Sequence, residues 1–368
     1  MGKHTEHEPR EGKKGIKILL GLVLIAIIGV GAFLGWKYMS SNKTIEVSTP
    51  NTTNTTPEEI PPEPEKIVQI YQGDERPIAC MIDNHSDAWP QFSINKAYAV
   101  YEIIVEGGET RLMAVFKGVE ADQVGPMRSS RHYFLDYALE NDAIYAHIGW
   151  SPQAQKDIST LGVNNINGLE YDTGRAWKEG DVFWRLSSRY APHNSICNLA
   201  TIKTAADSKG YRVTSTQESV LNYVTDEVTL EDKADAIAAT NITIPFSTLQ
   251  SVNFKYDETT QRYTRYARTK LQTDATDDSS ITTKNIIITK AENYTLSDGE
   301  NKGRQGLKNI GTSEGYYITN GKAIPITATK SSRSSQTVYT DSEGNEINVN
   351  DGNTFFEICP LTATITIE

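Results

Sequence analysis

Hydrophobic and polar positions divide the chain into an apolar span, a polar segment and a long patterned body. Ile18 to Trp36 is an uncharged run of 19 residues, ILLGLVLIAIIGVGAFLGW. A helix of that length rises about 28 Å, enough to cross the hydrocarbon core of a bilayer. Residues 40–66 then turn rich in Thr, Asn, Pro and Glu and are too polar to bury a core. We therefore predict a short tail at 1–17, a transmembrane anchor at 18–39 and a disordered stalk at 40–66.

The charges that flank the apolar span predict its orientation. Lys13, Lys14 and Lys17 precede the span, and fewer basic residues follow it closely. The positive-inside rule then places the N-terminus in the cytoplasm and the body outside it. A cleaved signal peptide is the alternative, but this apolar run is longer than the usual core and no small-residue cleavage site follows it. We expect an uncleaved signal-anchor and a single-pass protein of the cell membrane.

The first part of the body, residues 67–210, mixes strand and helix patterns. Short runs rich in β-branched and aromatic residues predict strands at 77–82, 97–105, 111–116 and 143–148. EGGET between the second and third runs is a hairpin signal. Helices are predicted to open at Gly125-Pro126, at Ser151-Pro152 and at Asn194 or Ser195, the last running to about Ser208. This alternation predicts an α/β-like layer domain.

The remaining body is mostly strand-like. Residues 211–244 are polar and mixed, so we interpret them as a connecting segment. Strand signals then recur through 245–368, in VNFKYD, QRYTRYAR, KNIIITK, GYYITN, IPITATK, TVYT and TFFEIC. Asn320-Gly321 and Asp351-Gly352 are turn signals between them. The predicted fold class is α+β: an α/β-like N-terminal layer domain and a mainly antiparallel β C-terminal domain, preceded by one transmembrane helix.

Charge and cysteine usage exclude several classes of function. The first 40 residues hold 6 of the 36 Lys/Arg and 3 of the 47 Asp/Glu, which leaves 30 basic and 44 acidic residues beyond them. A body this acidic is a poor candidate for nonspecific binding of nucleic acid, and we predict no nucleic-acid partner. Cys80, Cys197 and Cys359 form either three buried thiols or one bridge and a free thiol. No CxxC, HExxH or Walker A pattern occurs, so no metal and no cofactor is predicted.

The segment Gly125-Pro-Met-Arg-Ser-Ser-Arg-His132 has the composition of an anion site. If a helix opens here, its free N–H groups, its dipole and the guanidinium groups of Arg128 and Arg131 all favour a phosphate or carboxylate. The alternative is that Ser129 or Ser130 caps the helix while both arginines pair with acidic neighbours.

Two further segments carry candidate histidines. Asp83-Asn84-His85 follows a predicted strand, where an Asp and a His suit a metal ligand pair or an acid–base pair, and a simple Asx turn is the alternative. In Ala191-Pro-His-Asn-Ser195, His193 is a candidate base and Ser195 a candidate nucleophile. The one G-x-S-x-G match, Gly311-Thr-Ser-Glu-Gly315, runs into the predicted strand GYYITN and not into a helix, so it gives no support to a nucleophile elbow, and the Asn-Ser pair also suits a helix cap.

Two glutamates complete the candidate chemistry. Glu102 and Glu106 share a parity along the second predicted strand, which predicts that both side chains point to one face of the sheet. From that face they are expected either to form salt bridges with the arginines or to act as paired catalytic carboxylates.

At these motifs the chain resembles a known family. The phrases RPIACMIDNH, VYEIIVEGGETR, VGPMRSSRHYF, DAIYAHIGWSPQA, NNINGLEYD, RYAPHNS and DGNTFFEICP are similar to the YerB-like family of bacterial, mostly Gram-positive, cell-surface proteins. The resemblance implies an N-terminal α/β-type domain and a C-terminal domain of the same family, and it supplies no mechanism. Many members look like lipoproteins with a lipobox cysteine. Here the first cysteine is Cys80, so we expect the transmembrane anchor to replace the lipid.

The shared phrases also imply a set of ligand-binding positions, and we expect these to converge in one Arg/His-rich cleft of the N-terminal domain. They are Asp83, Asn84, His85, Glu102, Glu106, Arg111, Arg128, Arg131, His147, Arg185, His193 and Asn194. Among them His85, His147 and His193 are the catalytic candidates.

Three hypotheses for the function follow. The first is a module that binds an anionic, phosphate- or carboxylate-bearing ligand of the cell envelope, such as a wall polymer or a lipid-linked phosphate. The second is a structural or interaction protein that docks an envelope or membrane-protein partner, which predicts an exposed apolar patch. The third is a hydrolase or transferase acting on envelope glycan or phosphate substrates, for which a His–carboxylate hydrogen bond in a cleft is the expected mark.

Overall fold

β-Strands form most of the regular structure in residues 66–171 and 178–368, the part of the chain that the computed structural model describes. In chain order the strands are β1 Ile78–Asp83, β2 Ala99–Ile104, β3 Thr110–Phe116, β4 Ile144–His147, β5 Asn165–Asn167, β6 Phe183–Arg185, β7 Ser195–Cys197, β8 Asn222–Val224, β9 Ile237–Ala238, β10 Asn241–Pro245, β11 Ser251–Asp257, β12 Arg262–Ala267, β13 Lys270–Leu271, β14 Thr282–Thr283, β15 Asn285–Thr295, β16 Gln305–Lys308, β17 Gly311–Thr319, β18 Lys322–Lys330, β19 Val338–Thr340, β20 Asn348–Asn350, β21 Thr354–Pro360 and β22 Thr366–Ile367.

Helices are fewer and short. The α-helices are α1 Phe134–Glu140, α2 Pro152–Thr160 and α3 Leu199–Ser208, and single 3-10 turns lie at Ser86–Ala88, Ile94–Lys96, Glu106–Gly108 and Gly168–Tyr171. The mixture of many strands with few helices is consistent with the predicted α+β class.

One large sheet joins the two halves of the body. Its strands run in the order β19-β18-β17-β15-β21-β2-β3-β1-β4-β5, with β16 paired to β15 and β9 to β18. β21 lies between β2 and β15 and is parallel to both. The segments 67–210 and 245–368 therefore belong to one compact unit. Residues 211–244, predicted to be a connecting segment, contain β8 and β9, and β9 pairs with β18 of this same sheet.

Both faces of this sheet are buried. Along β1, Ile78, Cys80 and Ile82 lie on one side, which we name face A, and Ala79 and Met81 lie on the other, face B. Face A packs against α3 and against a second sheet of order β13-β12-β11-β10-β22, with β14 paired to β12. Face B packs against α1 and α2. Burial on both sides explains why the central strands are near-continuous apolar runs.

Most predicted strands and turns are confirmed. All four strands of the first half are present, and the EGGET segment forms the turn between antiparallel β2 and β3. Asn320 and Gly321, with φ of 48° and 73°, connect β17 to β18, as this dipeptide favours. Ser151 caps α2, since its Oγ accepts the N–H of Ala154 at 3.2 Å.

Two predicted helix starts are wrong. Gly125-Pro126 opens no helix, because the backbone there bridges to neighbouring strands and α1 begins only at Phe134. α3 begins at Leu199 with Asn198 as its N-cap, and Ser195 belongs to β7. In both places pairing with distant strands outweighs the local helical signal.

The predicted tail and anchor, and the stalk up to residue 65, lie outside the described residues. Within 66–171 and 178–368, no helix combines the length and the hydrophobicity needed to cross a bilayer. Cys80, Cys197 and Cys359 are all buried free thiols, so the three-thiol alternative holds and the single bridge does not form.

Candidate functional site

The site begins where β1 ends and β3 starts. Asp83, the last residue of β1, is the register partner of Arg111, and both side chains belong to face B. The segment after Gly125 crosses this end of the sheet: the Asp83 N–H donates to Pro126 O, and the Arg128 N–H donates to Met81 O, both at 2.8 Å. These backbone bonds hold Arg128 beside Asp83.

Glycine is required at position 125. Its φ is 142°, and a Cβ there would lie 2.9 Å from Met127 N and 3.0 Å from Ser195 O. A side chain would push this segment away from β1 and β7, so the Gly-Pro pair serves a close approach of backbones and does not start a helix.

The Asp83 carboxylate organises three neighbours. Its Oδ2 lies 2.8 Å from Nδ1 of His193 and 3.2 Å from Nε of Arg128. Its Oδ1 accepts the N–H of His85 at 3.1 Å, so the Asx-turn alternative is correct for this segment. Asp83 itself is 3% exposed, and a carboxylate this buried needs such partners.

Two histidine rings stack at this point. The rings of His85 and His193 lie 4.7 Å apart between centroids, at an angle of 20°. Since a carboxylate oxygen only accepts, Nδ1 of His193 donates to Asp83, and Nε2 is the other ring nitrogen. Nδ1 of His85 accepts the N–H of Asp87 at 3.2 Å. The ligand atoms of His85, Asp87 and His193 all lie within 4.8 Å of one another.

A second ion-pair group adjoins the first. Glu106 receives Nε and Nη2 of Arg131, at 2.5 and 2.9 Å, and lies 3.8 Å from Nη2 of Arg111. Burial favours a raised pKa for Glu106, but the hydrogen bond and charge of Arg131 outweigh it, so that the pKa is lowered. Burial, with the charge of Arg131, lowers the pKa of Arg111 to about 10, so Arg111 stays charged at neutral pH.

Arg128 differs from these two arginines in its free end. Its side chain is 27% exposed and its Nε pairs with Asp83. Nη1 and Nη2 form no hydrogen bond to any residue in 66–171 or 178–368. Counting Arg111, Arg128 and Arg131 against Asp83 and Glu106 leaves one positive charge in excess.

Asn84 and Glu102 lie on the opposite side of the sheet. Nδ2 of Asn84 donates to Oε1 of Glu102 at 3.1 Å, within a fully buried network on face A. Successive strand residues point to opposite faces, so Asp83 and Asn84 cannot share a site. The predicted common face of Glu102 and Glu106 is also wrong, because β2 ends at Ile104 and Glu106 lies in the following turn.

His147 does not join the cleft. It is fully buried, with Nδ1 2.8 Å from Gly149 O and Nε2 3.2 Å from Asn165 Oδ1. Burial lowers the pKa of His147 to about 4, so the ring is neutral at pH 7. These contacts give His147 a structural role in fixing the end of β4.

Arg185 and Asn194 shape the loop that carries His193. Nδ2 of Asn194 donates to the carbonyl oxygens of Leu186 and Arg189, each at 3.2 Å. Nη1 of Arg185 donates to Asn194 Oδ1 and to Ser195 Oγ, each at 2.9 Å. The described bond of the His193 ring goes to Asp83 and not to Ser195, so the structure does not form the predicted Ser–His pair.

Sequence reasoning missed three residues of interest. Asp87 lies two positions after His85, and that spacing was the available signal. Arg265 and Glu357 complete the buried network around Glu102: Nη2 of Arg265 lies 2.5 Å from Glu102 Oε2, and Glu357 is the register partner of Glu102 on β21. No local signal connects them, because they lie more than 90 residues apart in the sequence.

Comparisons with known proteins agree with the expected resemblance. Residues 66–212 match the family model described as "Protein of unknown function (DUF3048) N-terminal domain", and 242–356 match the corresponding C-terminal domain. The chain is 30% identical over 252 residues, 68% of its length, to "Putative lipoprotein YerB" of Bacillus subtilis (strain 168), covering 71% of that protein. It is also similar to the crystal structure of YerB protein from Bacillus subtilis, with a TM-score of 0.68 and 28% identity over 80% of this chain and 94% of that one.

Proposed function

We propose that this chain, which belongs to the DUF3048 family of proteins of unknown function, is a cell-envelope protein that binds an anionic ligand at Arg128. The observation that carries the proposal is the half-open guanidinium of Arg128, held by Asp83 through Nε alone. A guanidinium whose two terminal nitrogens are available matches the paired oxygens of a phosphate or carboxylate.

The local charge supports an anion in particular. The body as a whole is acidic, so general attraction does not explain anion binding, and the site must supply the charge. Three guanidinium groups, of Arg111, Arg128 and Arg131, face the carboxylates of Asp83 and Glu106. The partly buried setting weakens solvent screening and strengthens the net positive potential.

The predicted topology gives the class of ligand. With the predicted anchor at 18–39 and the body outside the cytoplasm, Arg128 would face wall polymers and lipid-linked phosphates. The name of the Bacillus relative, "Putative lipoprotein YerB", supports an association with the cell envelope. The ligand we propose is therefore a phosphate- or carboxylate-bearing group of the envelope.

The test is calorimetric titration of the full chain, in detergent and EDTA, with inorganic phosphate and pyrophosphate. Arg128→Ala is expected to weaken binding by roughly 10- to 100-fold, since charged hydrogen bonds contribute about 1.5–3 kcal/mol. Arg212→Ala, which removes an exposed arginine paired with Asp142, is the matched control and should leave the affinity unchanged. Equal affinities of wild type and Arg128→Ala would overturn the proposal. A soluble glycerol-phosphate polymer and vesicles carrying a polyprenyl phosphate then distinguish the two sources of ligand.

A hydrolase or transferase is a second candidate, favoured by the 2.8 Å hydrogen bond between His193 and Asp83. A carboxylate that holds one ring nitrogen orients the other as a general base, as in catalytic triads. Turnover of a phosphate ester or glycan by the wild type would support this candidate if His193→Gln abolishes the turnover and still binds the substrate. Binding of these substrates without turnover would favour the binding module over the enzyme.

A further inference from the structure

The two stacked histidines and a neighbouring carboxylate bring three ligand atoms together. His85, Asp87 and His193 offer two imidazole nitrogens and one carboxylate oxygen, all within 4.8 Å of one another. Nδ1 of His85 and Oδ2 of Asp87 are already 3.7 Å apart. Two ligands of a tetrahedral zinc ion lie about 3.3 Å apart, so closing around an ion needs movements of about 1.5 Å or less.

The side chains that must move are the ones free to do so. The Asp87 side chain is 70% exposed and that of His85 is 37% exposed, whereas His193 is 15% exposed and held by Asp83. Ligation by Nδ1 of His85 replaces only the long contact, 3.2 Å, from the N–H of Asp87. One fixed ligand and two adjustable ones are compatible with capture of an ion from solution.

Asp83 supplies a second, independent observation. Metal-bound histidines almost always donate their other ring N–H to a carboxylate or carbonyl, which fixes the tautomer and raises the basicity of the ligating nitrogen. The bond from Nδ1 of His193 to Asp83 has this arrangement and leaves Nε2 as the ring nitrogen that can bind a ligand. Asp87 adds a carboxylate to the three ligand atoms, while the charge of Asp83 is shared with Arg128.

We infer that His85, Asp87 and His193 form a binding site for one divalent transition-metal ion of the zinc class, with Asp83 as its supporting carboxylate. Imidazole nitrogens select zinc and related ions over magnesium and calcium, which prefer sets of oxygen ligands. Three protein ligands leave one position open for water or for an oxygen of a bound anion. Arg128 shares Asp83 with His193, so an anion on Arg128 has this open position as its neighbour.

The experiment measures zinc itself, so that it does not depend on anion binding. The full chain, untagged and carrying His4→Gln and His7→Gln to remove the histidines of the tail, is stripped with EDTA, dialysed and titrated calorimetrically with zinc chloride. One ion is expected per chain. His85→Ala and Asp87→Ala should each weaken the affinity at least tenfold, and Asp83→Asn by roughly 10- to 100-fold, as expected for a supporting carboxylate.

Asp207→Ala, which removes an exposed carboxylate on α3, is the matched control for Asp87→Ala and should bind zinc as the parent does. Circular dichroism checks that each variant is folded. If Asp83→Asn does not fold, Asp87→Ala still tests the site, because the Asp87 side chain is exposed. Absence of zinc binding, or equal affinity of the parent and both His85→Ala and Asp87→Ala, would overturn the inference. Phosphate affinity measured in EDTA separates this result from that of the proposed function.

Discussion

Two carboxylate–arginine clusters lie on opposite faces of the same sheet, and they differ in access to solvent. On face B, Asp83 meets Arg128 and His193, whose side chains keep 27% and 15% of their exposure. On face A, Glu102, Arg265 and Glu357 are completely buried between the two sheets. The residue types are alike, so burial separates a cluster that solvent can reach from one that is closed to solvent.

The closed cluster holds two carboxyl groups, of Glu102 and Glu357, and one guanidinium, of Arg265. Burial, with the charge of Glu102 added, raises the pKa of Glu357 well above its usual value, against the attraction of Arg265. This shift favours the neutral form of Glu357 and leaves the guanidinium of Arg265 facing the carboxylate of Glu102. The two carboxyl oxygens of Glu357 have no hydrogen-bond partner among the described residues, and neither do Nε and Nη1 of Arg265. Such a cluster is sensitive to the loss of either charge.

The largest effect is expected from Arg265→Met. It leaves the buried carboxylate of Glu102 without its counter-ion and should lower the free energy of unfolding by about 3–5 kcal/mol. Chemical denaturation followed by circular dichroism measures the change. The double variant Glu102→Gln/Arg265→Met should recover part of it, because the unpaired charge is then gone. A loss no larger than that of Arg128→Ala would remove the contrast between the clusters.

Acid should destabilise the fold through a buried histidine on face B. Unfolded, His147 binds a proton near pH 6.5, whereas in the folded protein its pKa is about 4. The unfolded state therefore binds more protons between these values, and stability falls with pH from about 6.5 to 4, by about 3 kcal/mol from this group. His132, with a pKa lowered to about 4 mainly by burial, acts in the same sense.

Asp136 opposes this loss. Burial raises its pKa to about 6, so the folded state binds more protons than the unfolded one between about pH 6 and 3.8, and acidification stabilises it there. The contribution of His147 to this pH dependence is measured by comparing the wild type with His147→Asn. The free energy of unfolding of the variant should fall less steeply between pH 6.5 and 4. Identical slopes for the two proteins would contradict the assignment of His147 as a buried neutral group.

The smallest effect on stability is expected at the open cluster. Arg128→Ala removes a partly exposed ion pair, and Asp83 retains its bond to His193. The free energy of unfolding should change by about 1 kcal/mol or less, while phosphate affinity falls as proposed above. A thermal melt of this variant beside Arg265→Met tests the comparison directly.

Local pattern predicted much of the fold and part of the site. β-Branched runs marked the strands, and Ser151-Pro152 marked α2. The prediction failed at Gly125-Pro126, because Met127 N–H donates to Ser195 O and the segment pairs with β1. Asp83, Arg128 and His193, one from each of three motifs, do converge at the end of β1, and His85 stacks on His193.

What the sequence determined by itself was the set of elements and the identity of the charged groups, because periodicity, turn chemistry and composition are local properties. What only the tertiary structure decided was which charges meet. Strand parity sends Asp83 to face B and Asn84 to face A. The insertion of β21 between β2 and β15 brings Glu357 to Glu102. Such partners depend on register between distant strands, and that register follows from packing both faces of the sheet together.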